Sequence, residues 1–228
     1  MKILSIETAT EACSAAVYQD GMIFERYQLA PREHNRLILP MIESVLAEAG
    51  LTVNQLDALA FGRGPGSFTG VRIAAGVVQG IALGADLPVA PVSTLAALAL
   101  EVFDAVDAAW AFPCIDARMA EVYFAVYGRS VEGDAVLHGA EAVLPPAAVT
   151  VPPDMRGVGV GSGWATYAAV LDERLSGQVR GVLTERFPRA GCVARLGAVG
   201  FGRGWAVAAE EALPVYLRDN VVKKPAVG

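Results

Sequence analysis

The sequence predicts an α/β protein whose leading half is built on a mixed sheet, and three observations carry that prediction. Short apolar runs at the start are separated by tight-turn signals, as an antiparallel meander requires. Short strands then alternate with amphipathic helices, the pattern of parallel strands joined by crossover helices. A glycine-rich segment falls between one such strand and its helix.

The elements follow in order. Lys2 to Glu7 is a short apolar run, and Cys13 to Tyr18 is a second, rich in Ala and Val. Asp20-Gly21 is a strong hairpin signal, so Met22 to Leu29 pairs back as a third strand. Asn35 to Ala49 predicts a helix: Leu37, Ile38, Leu39, Met41, Ile42, Val45 and Leu46 are its apolar residues, and Gly50 stops it. Leu56 to Phe61 reads as a strand that runs into Gly62-Arg63-Gly64-Pro65-Gly66-Ser67. Ser67 suits the N-cap of a helix reaching about Ala85. Leu87 to Val92 is another strand, and Ser93-Thr94 caps a helix to about Asp104. The leading half is therefore β-β-β-α-β-α-β-α.

The second half starts again with strands at Trp110 to Ile115 and Glu121 to Tyr127, flanking the turn 116–120. Gly157 to Gly161 reads as a short buried strand and Ala165 to Leu175 as a helix. Cys192 to Gly204 is a further helix, weakened by its glycines. Pro145-Pro146 and Pro152-Pro153 mark loops. A boundary near Asp104–Ala109 divides the chain into 1–106 and a smaller lobe, 107–228, that looks like a worn copy of the first.

Composition limits the function classes. With 54% apolar and 18% charged residues, the 228-residue chain can bury a sizeable core. A net charge of −6 argues against a basic face that grips phosphate backbones unaided. Cys13, Cys114 and Cys192 are scattered and form no CxxC, which fits reduced thiols in a cytoplasmic protein. Glu7 interrupts the N-terminal apolar run too early for a secretory signal. Asp86, Pro88 and Pro91 cut the richest apolar stretch, so no membrane span is expected.

Several segments are candidate sites. The 62–70 loop, with Gly64 and Gly66, joins a strand to a helix N-terminus, where free N–H groups suit an anion. It lacks the Lys of a P-loop and the G-x-G-x-x-G order, and a tight turn with close helix packing explains it equally. Gly157 to Gly163, with Gly161 and Gly163, invites a dinucleotide reading, but no clear second strand follows. A structural turn and a nucleotide-facing loop both stand. His34 and His138 are the two histidines and form no metal-ligand spacing; His34 falls just before the first helix, placed to bond backbone or a neighbour. No G-x-S-x-G surrounds Ser67. Glu7, Glu11 and Asp116 are carboxylates that could line a cleft.

Ile3-Leu4-Ser5-Ile6-Glu7-Thr8-Ala9-Thr10 with Ala12-Cys13-Ser14 resembles the opening of the TsaB family, also called YeaZ. So do His34-Asn35-Arg36-Leu37-Ile38-Leu39-Pro40 and, most specifically, Gly64-Pro65-Gly66-Ser67-Phe68-Thr69-Gly70-Val71-Arg72. Asp116-Ala117-Arg118, Glu121-Val122-Tyr123 and Pro214-Val215-Tyr216-Leu217-Arg218 extend the match in order. The resemblance implies the two-lobed, actin-like and sugar-kinase-like (ASKHA) fold. It also implies a subunit that is not itself catalytic. Such a subunit holds the catalytic paralogue TsaD in a working state, beside the ATPase TsaE. That system places threonylcarbamoyl on adenosine next to the anticodon of tRNA. The chain would meet tRNA only indirectly, carry no cofactor of its own, and leave open a nucleotide at the joint between subunits.

Two departures from active relatives stand out. The catalytic paralogue's histidine pair is absent, and the first phosphate turn, usually Asp followed by Gly, reads Glu7-Thr8-Ala9-Thr10. The alternatives are an independent nucleotide-dependent kinase of the same fold, a metallopeptidase, and a homodimeric module with an unrelated ligand.

The helical wheels suggest where a partner sits. On the 35–49 helix the apolar arc spans about 200°, wider than one sheet needs, with Leu37 and Met41 at an edge. On the 67–85 helix, Val71, Ala74, Val77, Val78 and Ile81 face the core, while Gly76 and Gly80 lie opposite beside Arg72 and Gln79. Two glycines four apart would form a shallow groove for another helix, in a TsaD heterodimer or a homodimer of the isolated chain.

Overall fold

A computed structural model describes residues 1–218. β1 (Lys2–Glu7), β2 (Ala12–Gln19) and β3 (Met22–Leu29) form the antiparallel meander. After α1 (His34–Ala49), β4 (Ala58–Gly62) pairs parallel to β1. After α2 (Phe68–Ala85), β5 (Val89–Val92) pairs parallel to β4. The sheet order is β3-β2-β1-β4-β5, and α3 (Thr94–Ala105) follows. The β-β-β-α-β-α-β-α order expected for this half is observed.

The second half repeats the plan. β6 (Trp110–Arg118), β7 (Glu121–Arg129) and β8 (Ala135–Leu144) are an antiparallel meander. β9 (Gly157–Val160) pairs parallel to β6, and β10 (Val179–Leu183) parallel to β9. The order β8-β7-β6-β9-β10 matches that of the first sheet.

Several boundaries differ from the sequence reading. β4 starts at Ala58, because Val53–Gln55 is a short 3-10 turn in which the Gln55 side chain accepts from the Thr52 N–H at 2.8 Å. β8 and β10 were not expected as strands. β8 lacks apolar alternation and carries Gly139 at φ +83°, and β10 is short and mostly exposed. The strand missing after Gly157 is therefore present. The expected 165–175 helix is two, α4 (Ser162–Thr166) and α5 (Ala168–Arg174), broken at Tyr167 (φ −121°, ψ 29°). The last helix, α6, runs Ala190–Gly202. α2 is also long and apolar enough to match a spanning helix, although no such span was expected. In the fold it lies on the first sheet with Val71, Ala74 and Val78 buried.

The elements stack in layers. α1 and α2 cover one face of the first sheet, where Leu4, Ile6 and Val17 meet Ile38, Ile42 and Val78. α4 and α5 cover the far face of the second sheet, where Phe112 and Val126 meet Trp164 and Leu171. α3 and α6 lie between the sheets. Every residue of α3 from Thr94 to Phe103 is buried. α6, from the second half, returns to the first sheet and comes close because Gly197 has no side chain; a Cβ there would sit 2.6 Å from the Ala60 Cβ.

Candidate functional site

Glu7 ends β1 fully buried. Its carboxylate accepts from the Ala9 N–H at 2.6 Å and the Thr94 hydroxyl at 3.2 Å. Gly62 at the end of β4 makes room for it, since a Cβ there would fall 1.9 Å from Glu7 Oε2. Burial raises the Glu7 pKa from 4.5 to about 7, against the lowering effect of those hydrogen bonds.

The Thr8–Thr10 turn is fastened to the 62–70 loop. The Ser67 N–H donates to Ala9 O at 2.7 Å, and the Thr8 hydroxyl donates to Gly70 O at 2.7 Å. A Cβ on Gly66 would lie 2.5 Å from Ala9 O, and one on Gly70 would lie 2.0 Å from Thr8 O. Gly64 adopts φ +100° beside the Val215 carbonyl. The space beside Gly66 and Gly70, which an approaching phosphate would need, is filled by the chain's own first turn. Ser67 caps α2 by accepting from the Gly70 N–H at 3.4 Å, as its sequence position suggests.

The second glycine-rich turn is packed in the same way. A Cβ on Gly161 would meet Cys114 O and Leu98 at 2.7 Å, and one on Gly163 would meet Cys114 Sγ at 2.5 Å. Gly159 accommodates the buried indole of Trp164, whose N–H donates to Phe112 O at 2.8 Å.

The β6–β7 turn forms a corner of charge. Asp116 accepts from the Arg118 N–H at 2.8 Å and from its guanidinium at 3.0 Å. Arg118 also reaches Glu11 across the cleft at 3.3 Å. Arg118, Met119 and Ala120 all have φ near +60°, a left-handed run costly for residues with a Cβ. Arg218 braces it by donating to Glu121 at 2.6 Å and to Ala117 O at 3.0 Å. Arg218, distant in sequence, thus joins Asp116, Arg118 and Glu121 of this hairpin.

His34 is buried, with Nε2 3.1 Å from Ala12 O, so it bonds backbone as expected. His138 lies edge-on to Trp110. Among the described residues, no group of three His, Cys, Asp or Glu side chains is arranged to hold a metal.

The α1–α2 surface needs one correction. Met41 was expected at an exposed edge but is only 8% exposed, and Leu37 is half-buried. α1 packs on β2 and β3 and also touches α2, so most of the wide apolar arc is used up inside the chain. Leu39, at 53% exposure, is the outward residue instead. On α2, Val71, Ala74 and Val78 are buried as expected, while Val77 and Ile81 are half-buried. Gly76 and Gly80 are exposed with open space beside them. Gln79 turns to the chain's own C-terminal segment and donates to Ala212 O at 3.3 Å.

Sequence reasoning missed the aromatic neighbours of Arg72. Its guanidinium carbon lies 3.3 Å from the Phe68 ring centroid and 5.3 Å from that of Tyr216. Both rings are exposed, Phe68 at 57%. Phe68 and Arg72 border a groove of about 420 Å³ lined also by Asn35 of α1 and Ile73 and Gly76 of α2. Phe68 was legible as a large aromatic at the first position of α2, away from the buried stripe. Tyr216 falls in the Pro214–Arg218 match, but nothing in the sequence placed it beside Arg72.

Comparison with known proteins agrees with this architecture. The model of the family "TsaD: tRNA N6-adenosine threonylcarbamoyltransferase" matches residues 14–224. The tRNA threonylcarbamoyladenosine biosynthesis protein TsaB of Escherichia coli is 43% identical, covering 100% of this chain and 99% of that protein. The Haemophilus influenzae protein of the same name is 39% identical, covering 100% and 98%. The solved structure of YeaZ from Pseudomonas aeruginosa aligns with a TM-score of 0.88 at 43% identity, covering 95% of this chain and 99% of that one. With the repeated sheet plan, these matches give the chain the two-lobed ASKHA fold, and the chain belongs to the TsaB (YeaZ) family.

Proposed function

We propose that the chain is a non-catalytic partner subunit in the biosynthesis of threonylcarbamoyladenosine on tRNA, binding and supporting a TsaD-like paralogue. A TsaE-like ATPase works beside the pair. The observation that carries the assignment to this pathway is the end-to-end likeness to proteins named for it. The absence of chemistry in this chain is supported by the cleft, where Thr8 and Ala9 occupy the space beside Gly66 and Gly70. That packing disfavours an independent kinase, and the donor set disfavours a metallopeptidase. Nucleotide, if one takes part, then belongs at the joint between subunits.

The partner face is the α1–α2 surface, in the form the fold presents it. Leu39, Phe68, Arg72, Gly76 and Gly80 are outward; Leu37 contributes its half-buried edge. Exposed aromatics around an arginine are the residue types that anchor interfaces. The same face suits a homodimer of the isolated chain, in competition with the heterodimer. Work on tRNA places the chain in the cytoplasm, and its charge of −6 keeps its contact with tRNA indirect.

Depletion tests the function directly. Nucleoside analysis of bulk tRNA is expected to show less threonylcarbamoyladenosine; an unchanged level rejects the assignment. A pull-down with the TsaD-like protein of the same organism tests the partnership.

A further inference from the structure

The two sheets share one apolar core, and the Arg118–Glu11 pair that crosses the cleft mouth at 3.3 Å is exposed. The core runs from Ile3, Ala60 and Val92 through Leu98 and Leu196 to Ala111 and Val160. A pivot of this kind, left alone, permits the sheets to rock. At the carboxyl ends of β4 and β5, a polar cluster outside the sites above joins them.

The cluster centres on Glu141 of β8. Between β7 and β8 the register passes from Phe124↔Ala142 to Val126↔His138, so β8 carries two more residues than β7 in that interval. Gly139, at φ +83°, lies inside this bulge. Glu141 Oε1 accepts the hydroxyl proton of Ser93 and that of Tyr127, the latter at 2.6 Å. Ser93 is the N-cap of α3, and its oxygen accepts from the Leu95 and Ala96 N–H groups at 3.1 and 3.2 Å. Every proton is therefore used: two hydroxyls on one carboxylate, and two amides on Ser93. The carboxylate also stands at the positive end of a 12-residue helix. Tyr127 is almost wholly buried, and desolvation, with Glu141 next, raises its pKa well above 10, so it keeps its proton.

We propose that Glu141 is a lock that ties the second sheet to the N-terminus of α3 and makes the two sheets one rigid body. The lock spans a bulged edge strand of the second sheet and the cap that follows the first sheet's last strand. It stands independently of the partner role.

The test measures the spread of distances between the sheets. Spin labels on Glu43→Cys of α1 and Glu173→Cys of α5 report it, since both positions are exposed and the native cysteines are buried. With Glu141 intact, a single narrow distance distribution is expected. Glu141→Ala should broaden it about twofold or add a second distance, and should speed amide exchange at Leu95 and Ala96 by about tenfold. Glu141→Gln, whose carbonyl can accept both hydroxyl protons, should restore most of the narrow distribution. Tyr127→Phe, which leaves the core volume unchanged, should give a smaller broadening and serves if the alanine variant folds poorly. A distribution as narrow in Glu141→Ala and Tyr127→Phe as in the parent would overturn the proposal.

Discussion

Glu7 is a carboxyl group placed where a charge is costly. Its pKa is about 7 in the fold against 4.5 when exposed, so the native state holds the proton more tightly. Stability from this group is fully present below pH 4.5 and is lost as pH rises to about 7. Glu7→Gln removes the titration. At pH 8 it is expected to be more stable than the parent by roughly 3 kcal/mol, the free energy of moving the pKa from 4.5 to about 7. Below pH 4.5 the two should coincide, and urea melts across this range check the difference. Gly66→Ala makes the opposite demand: a Cβ 2.5 Å from Ala9 O forces the two turns apart. A loss of about 1–3 kcal/mol in the same melts is expected, with the fold retained. The sequence marked Glu7 and the 62–70 glycines as unusual but not why. The reason is a contact between residues some 60 positions apart, which spacing does not encode.

Of the first two helices, the outward face of α2 was the more legible and that of α1 the less. The α2 wheel put Gly76 and Gly80 outward, and they are exposed. The α1 wheel put Met41 outward, yet it is buried, because a helix seated between a sheet and another helix has two inner faces. The interface test therefore moves to residues with open space around them. Gly80→Ala should stabilise the chain by roughly 1 kcal/mol through helix propensity, read by thermal melting. Gly80→Glu should fold normally yet weaken association with the TsaD-like partner by tenfold or more, read by titration calorimetry. Unchanged affinity would place the partner elsewhere. Strands β8 and β10 escaped notice because their pairing is set by β7 and β9, while their own residues lack a period of two.

At the scale of the molecule, the duplicated sheet plan was legible in outline: a second start at Trp110 suggested a worn copy, and the two strand orders match. How the copies share helices was not legible. The isolated chain is expected to bind tRNA weakly and without strong salt dependence, as its charge implies. Filter binding across ionic strengths checks this, and tight, salt-sensitive binding would contradict the indirect role.

The placement of α6 also governs the timing of synthesis. One face of the first sheet is covered by a helix that ends at Gly202, about 100 residues after that sheet's last strand. At about 5–20 residues per second, the ribosome exposes Ala60, Ala90 and Val92 for some 5–20 s before their cover is made. During that interval the nascent chain offers an apolar sheet face to chaperones and to other copies. A chain stopped at residue 106 keeps that face bare permanently. It is expected to bind a hydrophobic dye and to precipitate at concentrations where the whole chain stays in solution.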